Sequence, residues 1–275
     1  MTNFNIQRFG RTLKWSAVMT RKEVLANAAM MFFAMFFPFI VQMLTSYDQP
    51  ILQAVVNLDA AMRVCIFIYF VISMIGGSWL FNNMKTKEQR ITFKMLPATD
   101  LEKYVARALY ATVVWWLMGL AAFCLADVLR MFVSLIAGIG VVKSTIPDFF
   151  AEYFGSSVNS SFYAEYGCTT FYVALLAMLY AWGFWVHSLY ILGGAFFRRH
   201  QFVLTSLVHL VLIMVFTPLL VHFVKTVDNA FFNNWKLVLA WSGAAVFAVL
   251  GVLDWWLSYK IFRRMQVVNN KWVNL

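Results

Sequence analysis

Residues 91–116 read ITFKMLPATDLEKYVARALYATVVWW, and the fold turns on how this stretch is parsed. Its first half is charged and its second half apolar. In PATDLE, Thr99 and Glu102 have the S/T-x-x-E spacing of a capping box. The hydroxyl accepts the N–H of residue 102 and the carboxylate accepts that of residue 99. Asp100 adds negative charge where a helix start is positively polarised. Pro97 disfavours helical geometry at Leu96. One element must therefore end near Leu96 and a new helix begin at Thr99. Nothing from Asp100 to Trp116 breaks that helix, so a charged, capped start is predicted to run directly into a membrane span.

Working back along the chain, Met84, Ile91 and Met95 fall at roughly helical spacing among Lys85, Lys87, Glu88 and Arg90. The stretch 82–107 is thus predicted to be a helix–break–helix elbow rather than a passive loop. Ile91, Phe93, Met95 and Leu96 stand beside mixed charges, a composition suited to docking a soluble partner.

Composition places the whole chain in a bilayer. Of its 275 residues 62% are hydrophobic and 12% charged, against about 45–50% and about 25% in a soluble domain. A span needs roughly 20 mainly apolar residues. Six segments qualify, approximately 24–45, 61–81, 108–129, 170–192, 202–224 and 237–258. The expected fold is an all-α integral membrane protein, one transmembrane domain over 1–275 with no soluble domain at either end. The first apolar run follows Arg8, Arg11, Lys14, Arg21 and Lys22, is too long for a signal core, and lacks a small-x-small cleavage site, so it reads as a retained span.

The net charge of +10 could suggest nucleic acid, but its distribution argues for topology. Five basic residues precede the first span. Six more (Lys85, Lys87, Arg90, Lys94, Lys103, Arg107) lie between spans two and three, Arg198 and Arg199 between four and five, and Lys260, Arg263, Arg264 and Lys271 after six. These are seventeen of the 22 Lys and Arg. The alternation predicts both termini and the elbow on the cytoplasmic side, most naturally of a bacterial inner membrane, and no nucleic-acid partner. In FNIQRFGRTLKW, Ile6, Phe9 and Leu13 recur on one face among Arg8, Arg11 and Lys14, which predicts an interfacial amphipathic helix before the first span.

The chain has no G-x-x-x-x-G-K-[ST] and no H-E-x-x-H. Cys65, Cys124 and Cys168 sit in or beside apolar runs as small hydrophobes. No catalytic, cofactor or metal residues are expected. Gly76 and Gly77, and Gly193 and Gly194, fit close helix packing. Asp254 and His209 are the ionisable residues within spans that could act there. Asp127 and Arg130, one turn apart, read as an interfacial pair at the outer end of span three.

With these residues in view, the chain resembles the permease subunits of the type-two ABC exporter family. The resemblance rests on Leu96, Pro97, Ala98 and Thr99 followed by charge and a helix returning to the membrane, and on the N-terminal helix, the six spans and both termini inside. It implies a permease that dimerises with itself or a sister chain. ATP–Mg would be held on a separate ATP-binding subunit docked on the elbow. Lys85, Lys87, Arg90, Ile91, Phe93, Met95, Leu96, Pro97, Thr99 and Glu102 would form that coupling interface. One departure is that Lys225–Lys236 is short where many members carry re-entrant helices; the longest external segment is instead Arg130–Gly167. Two other classes compete. A lipid-headgroup enzyme would need clustered carboxylates or histidines at one membrane face, which the sequence lacks. A non-transporting scaffold or assembly factor would share the elbow without a pathway.

Overall fold

A computed structural model describes residues 4–84, 86–138, 141–154, 169–197, 200–226 and 229–265. Of these residues 89% are helical. In order come α1 (Ile6–Thr45), α2 (Ile51–Ile75), two short 3-10 turns (Gly76–Trp79 and Asn82–Met84), α3 (Lys87–Lys94) and α4 (Asp100–Leu109). A π-helical turn (Tyr110–Val114) then leads into α5 (Trp115–Ala137), followed by α6 (Ile146–Tyr153), α7 (Thr169–Phe196), α8 (Gln201–Thr226) and α9 (Asn229–Arg264). Among the described residues six helical stretches are long and apolar enough to cross a bilayer: Ile6–Thr45, Ile51–Trp79, Asp100–Ala137, Thr170–Phe196, Gln201–His222 and Trp235–Arg264. The chain is an all-helical integral membrane protein. Only helices and closed barrels can satisfy their own backbone groups in hydrocarbon, and here the described residues form helices.

The elements are longer than the apolar runs that mark them. The expected interfacial helix and first span are one continuous helix, α1. The linking sequence WSAVMTRKEV contains neither proline nor glycine, and nothing else in it kinks a helix. The second span was expected from residue 61, yet α2 starts at Ile51, directly after Pro50. Asn57, Asp59 and Arg63 interrupt the apolar run but do not break a helix. The third span gains two turns at its far end and stops at Gly138, whose φ of 63° is left-handed and whose N–H bonds the Ser134 carbonyl. This is the ordinary helix-ending role of glycine.

The chain divides into two compact units. The first comprises Met1–Ser16, Met74–Thr112 and Val158–Leu275. Its core is Leu80, Phe81, Met84, Phe93, Tyr104, Ala108, Ala111, Ile191, Ala195 and Phe262. Glycine lets its helices meet closely. A Cβ on Gly77 would overlap the His187 carbonyl and press on Ile191, and one on Gly193 would overlap Thr205. The second unit comprises Ala17–Ser73 and Val113–Ser157. Met35, Phe39, Leu58, Cys65, Tyr69, Phe123 and Phe149 are buried there. The Tyr69 hydroxyl donates to the Trp116 carbonyl at 3.3 Å, and the Trp115 indole N–H to the Ile72 carbonyl at 2.8 Å.

Candidate functional site

The elbow is built from two capped helices in the first unit. Thr86 caps α3. Its hydroxyl accepts the Gln89 N–H and Gln89 accepts the Thr86 N–H, both at 3.2 Å. The Glu88 carboxyl is held below the usual carboxylate range, first by its own backbone N–H and then by Thr86. α3 ends at Met95, the chain breaks through Leu96–Ala98, and Thr99 caps α4. Glu102 N–H donates to the Thr99 hydroxyl at 3.2 Å, and Thr99 N–H to Glu102 Oε2 at 2.8 Å. Removing such a cap costs about 1 kcal/mol.

Glu102 does more than cap. Its side chain has no exposed surface, and Arg8 Nη2 lies 2.8 Å from its Oε1. Arg8 Nε donates to Oε2 at 3.1 Å, and the Asn5 N–H to Oε1 at 2.7 Å. One carboxylate thereby starts α4 and ties down the start of α1. Lys103 Nζ donates to the Lys94 carbonyl at 2.8 Å, capping the last turn of α3. Lys94 Nζ in turn donates to Asp100 at 3.1 Å and to the Phe262 carbonyl in α9 at 3.0 Å, with its ammonium 4.1 Å from the centre of the Phe262 ring. Cations at helix C-termini complement the dipole there.

Arg107 anchors the elbow from beneath. It is buried, and donates to the carbonyls of Leu80 and Trp79 and to the Ser16 hydroxyl, each at 3.0 Å. Two of these acceptors, Trp79 and Leu80, are the last residue and the C-cap of the 3-10 turn that ends the second span. The guanidinium also faces the Tyr110 ring at 5.0 Å.

The expected interface residues separate into an outer and an inner set. Lys87, Met95 and Pro97 are exposed, as is Leu101 beside them. Arg90, Ile91 and Thr99 are half-buried, and Leu96 is half-buried against the core. Phe93 is not on the outer face. It is wholly buried, its ring centroid 6.0 Å from Trp15 and 6.2 Å from Phe262. Apolar character alone does not reveal the side of a helix, and at Phe93 the core claims it. Glu102 faces inward for the reasons given above. Lys85 lies outside the described residues, as do Arg198 and Arg199.

Asp254 and His209 do not share a partner directly but reach the same turn of α7. The Ser188 hydroxyl donates to Asp254 Oδ2 at 3.3 Å and to the Trp185 carbonyl at 2.6 Å. The His209 ring lies 6.5 Å from that of Trp185 and 6.2 Å from that of Trp182. Among the described residues no group of three or more His, Cys, Asp or Glu is placed to hold a metal ion.

A second polar cluster lies in the second unit. Asp127 and Arg130 form the expected pair one turn apart, and both side chains are fully buried in the protein. Asp127 Oδ1 accepts from Arg130 Nη2 at 2.9 Å and from the Thr145 hydroxyl at 2.9 Å. Its Oδ2 accepts from the Ser144 hydroxyl and the Thr145 N–H, at 2.9 and 3.0 Å. Arg130 completes the clasp by donating to the carbonyls of Val141 and Lys143. The segment after α5 is thus folded back over the pair, and it delivers α6 with Phe149 stacked on Phe123 at 4.0 Å. At the clasp's edge, Asp148 holds the Lys143 ammonium above its usual range by a 2.7 Å hydrogen bond.

The chain matches no protein-family model, no curated protein and no solved structure. Its class, an all-helical integral membrane protein carrying a capped and buttressed elbow, therefore rests on the sequence and this geometry.

Proposed function

We propose that the chain is the permease subunit of an ATP-driven exporter, dimeric in the membrane, with a separate ATP-binding subunit seated on the elbow at the cytoplasmic side. The observation that carries this reading is the division of the elbow into two sides. The outer side presents Lys87, Met95, Pro97 and Leu101 to solvent. The inner side is fixed at Glu102 to α1, at Lys94 to α9, and at Arg107 to the end of the second span. A surface that receives a moving partner must be unable to yield locally if it is to pass that movement on. An apolar centre such as Met95 and Leu101 with a polar rim is also the usual make-up of a protein-docking patch. With no phosphate-binding loop in this sequence, ATP and Mg are assigned to the partner.

The test is coexpression with the ATPase subunits of the same cell and isolation in mild detergent. A nucleotide-binding subunit should copurify with the parent chain and be lost on Met95→Glu with Lys87→Glu, while the variant keeps its place in the membrane. Failure of any ATPase to copurify with the parent would leave the scaffold reading in possession of the elbow. An unchanged complex in the double variant would move the docking surface elsewhere.

A further inference from the structure

We propose that a second surface of the first unit, formed by the early turns of α1 and the last turns of α9, binds the headgroups of anionic phospholipids. Trp15 of α1 and Phe262 of α9 both pack on Phe93, at 6.0 and 6.2 Å. These contacts bring two chain segments almost 250 residues apart to one place. Arg11 and Lys14 are exposed on α1, and Lys260, Arg263 and Arg264 on α9. The acids nearby are already committed, Glu102 to Arg8 and Asp100 to Lys94. None of the five cations forms an ion pair among the described residues. Glu88, on the separate helix α3, is the remaining acid of the elbow.

The occupant follows from what lies beside the charge. Lys260 Nζ sits 3.5 Å from the centre of the Trp256 ring. Trp256 is itself exposed, with Val252 and Leu253 exposed one turn before it and Leu257 exposed next to it, one turn before Lys260. Apolar surface, then an indole, then ammonium and guanidinium is the order of groups met in passing from acyl chain to interface to headgroup. A free anion would use the cations and leave the apolar turns unmatched; a phospholipid engages both. The inference does not depend on an ATPase docking at the elbow.

The full chain, reconstituted in phosphatidylcholine vesicles, is probed with spin-labelled phosphatidylglycerol and spin-labelled phosphatidylcholine, and the relative association of the two is read. The parent should prefer phosphatidylglycerol several-fold, less so as salt rises. Lys260→Gln with Arg263→Gln and Arg264→Gln should remove most of that preference, each cation being worth up to about fivefold. The charge-conserving set Lys260→Arg, Arg263→Lys and Arg264→Lys should keep it, which separates loss of charge from loss of fold. Lys87→Gln should leave it unchanged while weakening any ATPase complex, so the two surfaces fail independently. A parent with no preference, or a glutamine variant with the parent's preference, overturns the proposal. Equal suppression by added inorganic phosphate and by unlabelled phosphatidylglycerol at matched phosphorus would also overturn it, in favour of a free-anion site.

Discussion

Asp127 and Arg130 lie one turn apart on α5, and neither exposes any side-chain surface. Two opposite charges withdrawn from water are worth little net stability while paired, but the loss of one strands the other. Asp127→Asn should therefore destabilise the second unit by about 3–5 kcal/mol, read as reversible unfolding in mixed micelles. Asp127→Asn with Arg130→Met should cost less than Asp127→Asn alone. Equal losses in both would mean that the hydrogen bonds to 141–145, not the charge, hold the clasp.

The same clasp has a local readout. Ser144 and Thr145 reach Asp127, so cutting the pair should free the segment they begin. A cysteine at Val142 should react with a water-soluble maleimide at least several times faster in the Asp127→Asn background than in the parent. Identical rates would show that Phe149, stacked on Phe123, secures the segment unaided.

At the elbow, a graded series separates the two duties of Glu102. Glu102→Gln retains the geometry of a capping box, which tolerates glutamine, but gives up the charge that meets Arg8. Glu102→Ala gives up both. The first should cost about 1–2 kcal/mol and the second about 1 kcal/mol more, from the lost cap. In an Arg8→Ala background the Glu102→Gln penalty should nearly vanish. Persistence of the full penalty there would assign the cost to something other than the pair.

Two glycines should respond in opposite directions. Gly77→Ala places a methyl group on the His187 carbonyl and should destabilise by about 1–3 kcal/mol through overpacking. Gly10 has nothing within 4 Å of the added carbon, so Gly10→Ala should stabilise α1 by roughly 0.5–1 kcal/mol through helix propensity. Thermal unfolding of both variants in one detergent decides the matter, and a Gly77→Ala protein as stable as the parent would contradict the close approach.

Orientation is predicted from charge. Lys87→Cys should be silent to impermeant maleimide in intact cells and Lys143→Cys should react, both positions being exposed. The opposite pattern would invert the topology and remove the elbow from the cytoplasm.

Local features of this chain were legible and long-range ones were not. The Thr99–Glu102 box could be read because its partners are three residues apart and the chemistry is fixed by residue type. The Thr86–Gln89 box follows the same rule in TKEQ, with glutamine in place of glutamate. Arg8 meeting Glu102 could not be foreseen, since 94 positions separate them and only folding brings them together. Asp127 and Arg130 were readable as a pair but not as a buried one, because the segment that covers them comes later in the chain. Phe93 is buried in the core where its neighbours suggest docking, because hydrophobicity does not distinguish a core residue from a docking residue. Span boundaries ran short at Ile51 and Arg264 because charges mark where hydrocarbon ends, not where helices end.

Finally, α8 is held at one end. Gly193 admits Thr205, the Tyr190 hydroxyl meets Ser206 at 2.9 Å, and His209 rests against Trp182 and Trp185. From Ile213 to His222 every residue is exposed. A helix of 26 residues is about 39 Å long, whereas a bilayer's hydrocarbon core is about 30 Å thick. Tilt is one way to take up a surplus, and α8, anchored through its first turns, is expected to lean more in thin lipid than in thick. Bilayer thickness would then be an input registered as the angle of one span; oriented infrared dichroism should show that angle change between thin and thick lipids, and an unchanged angle would rule it out.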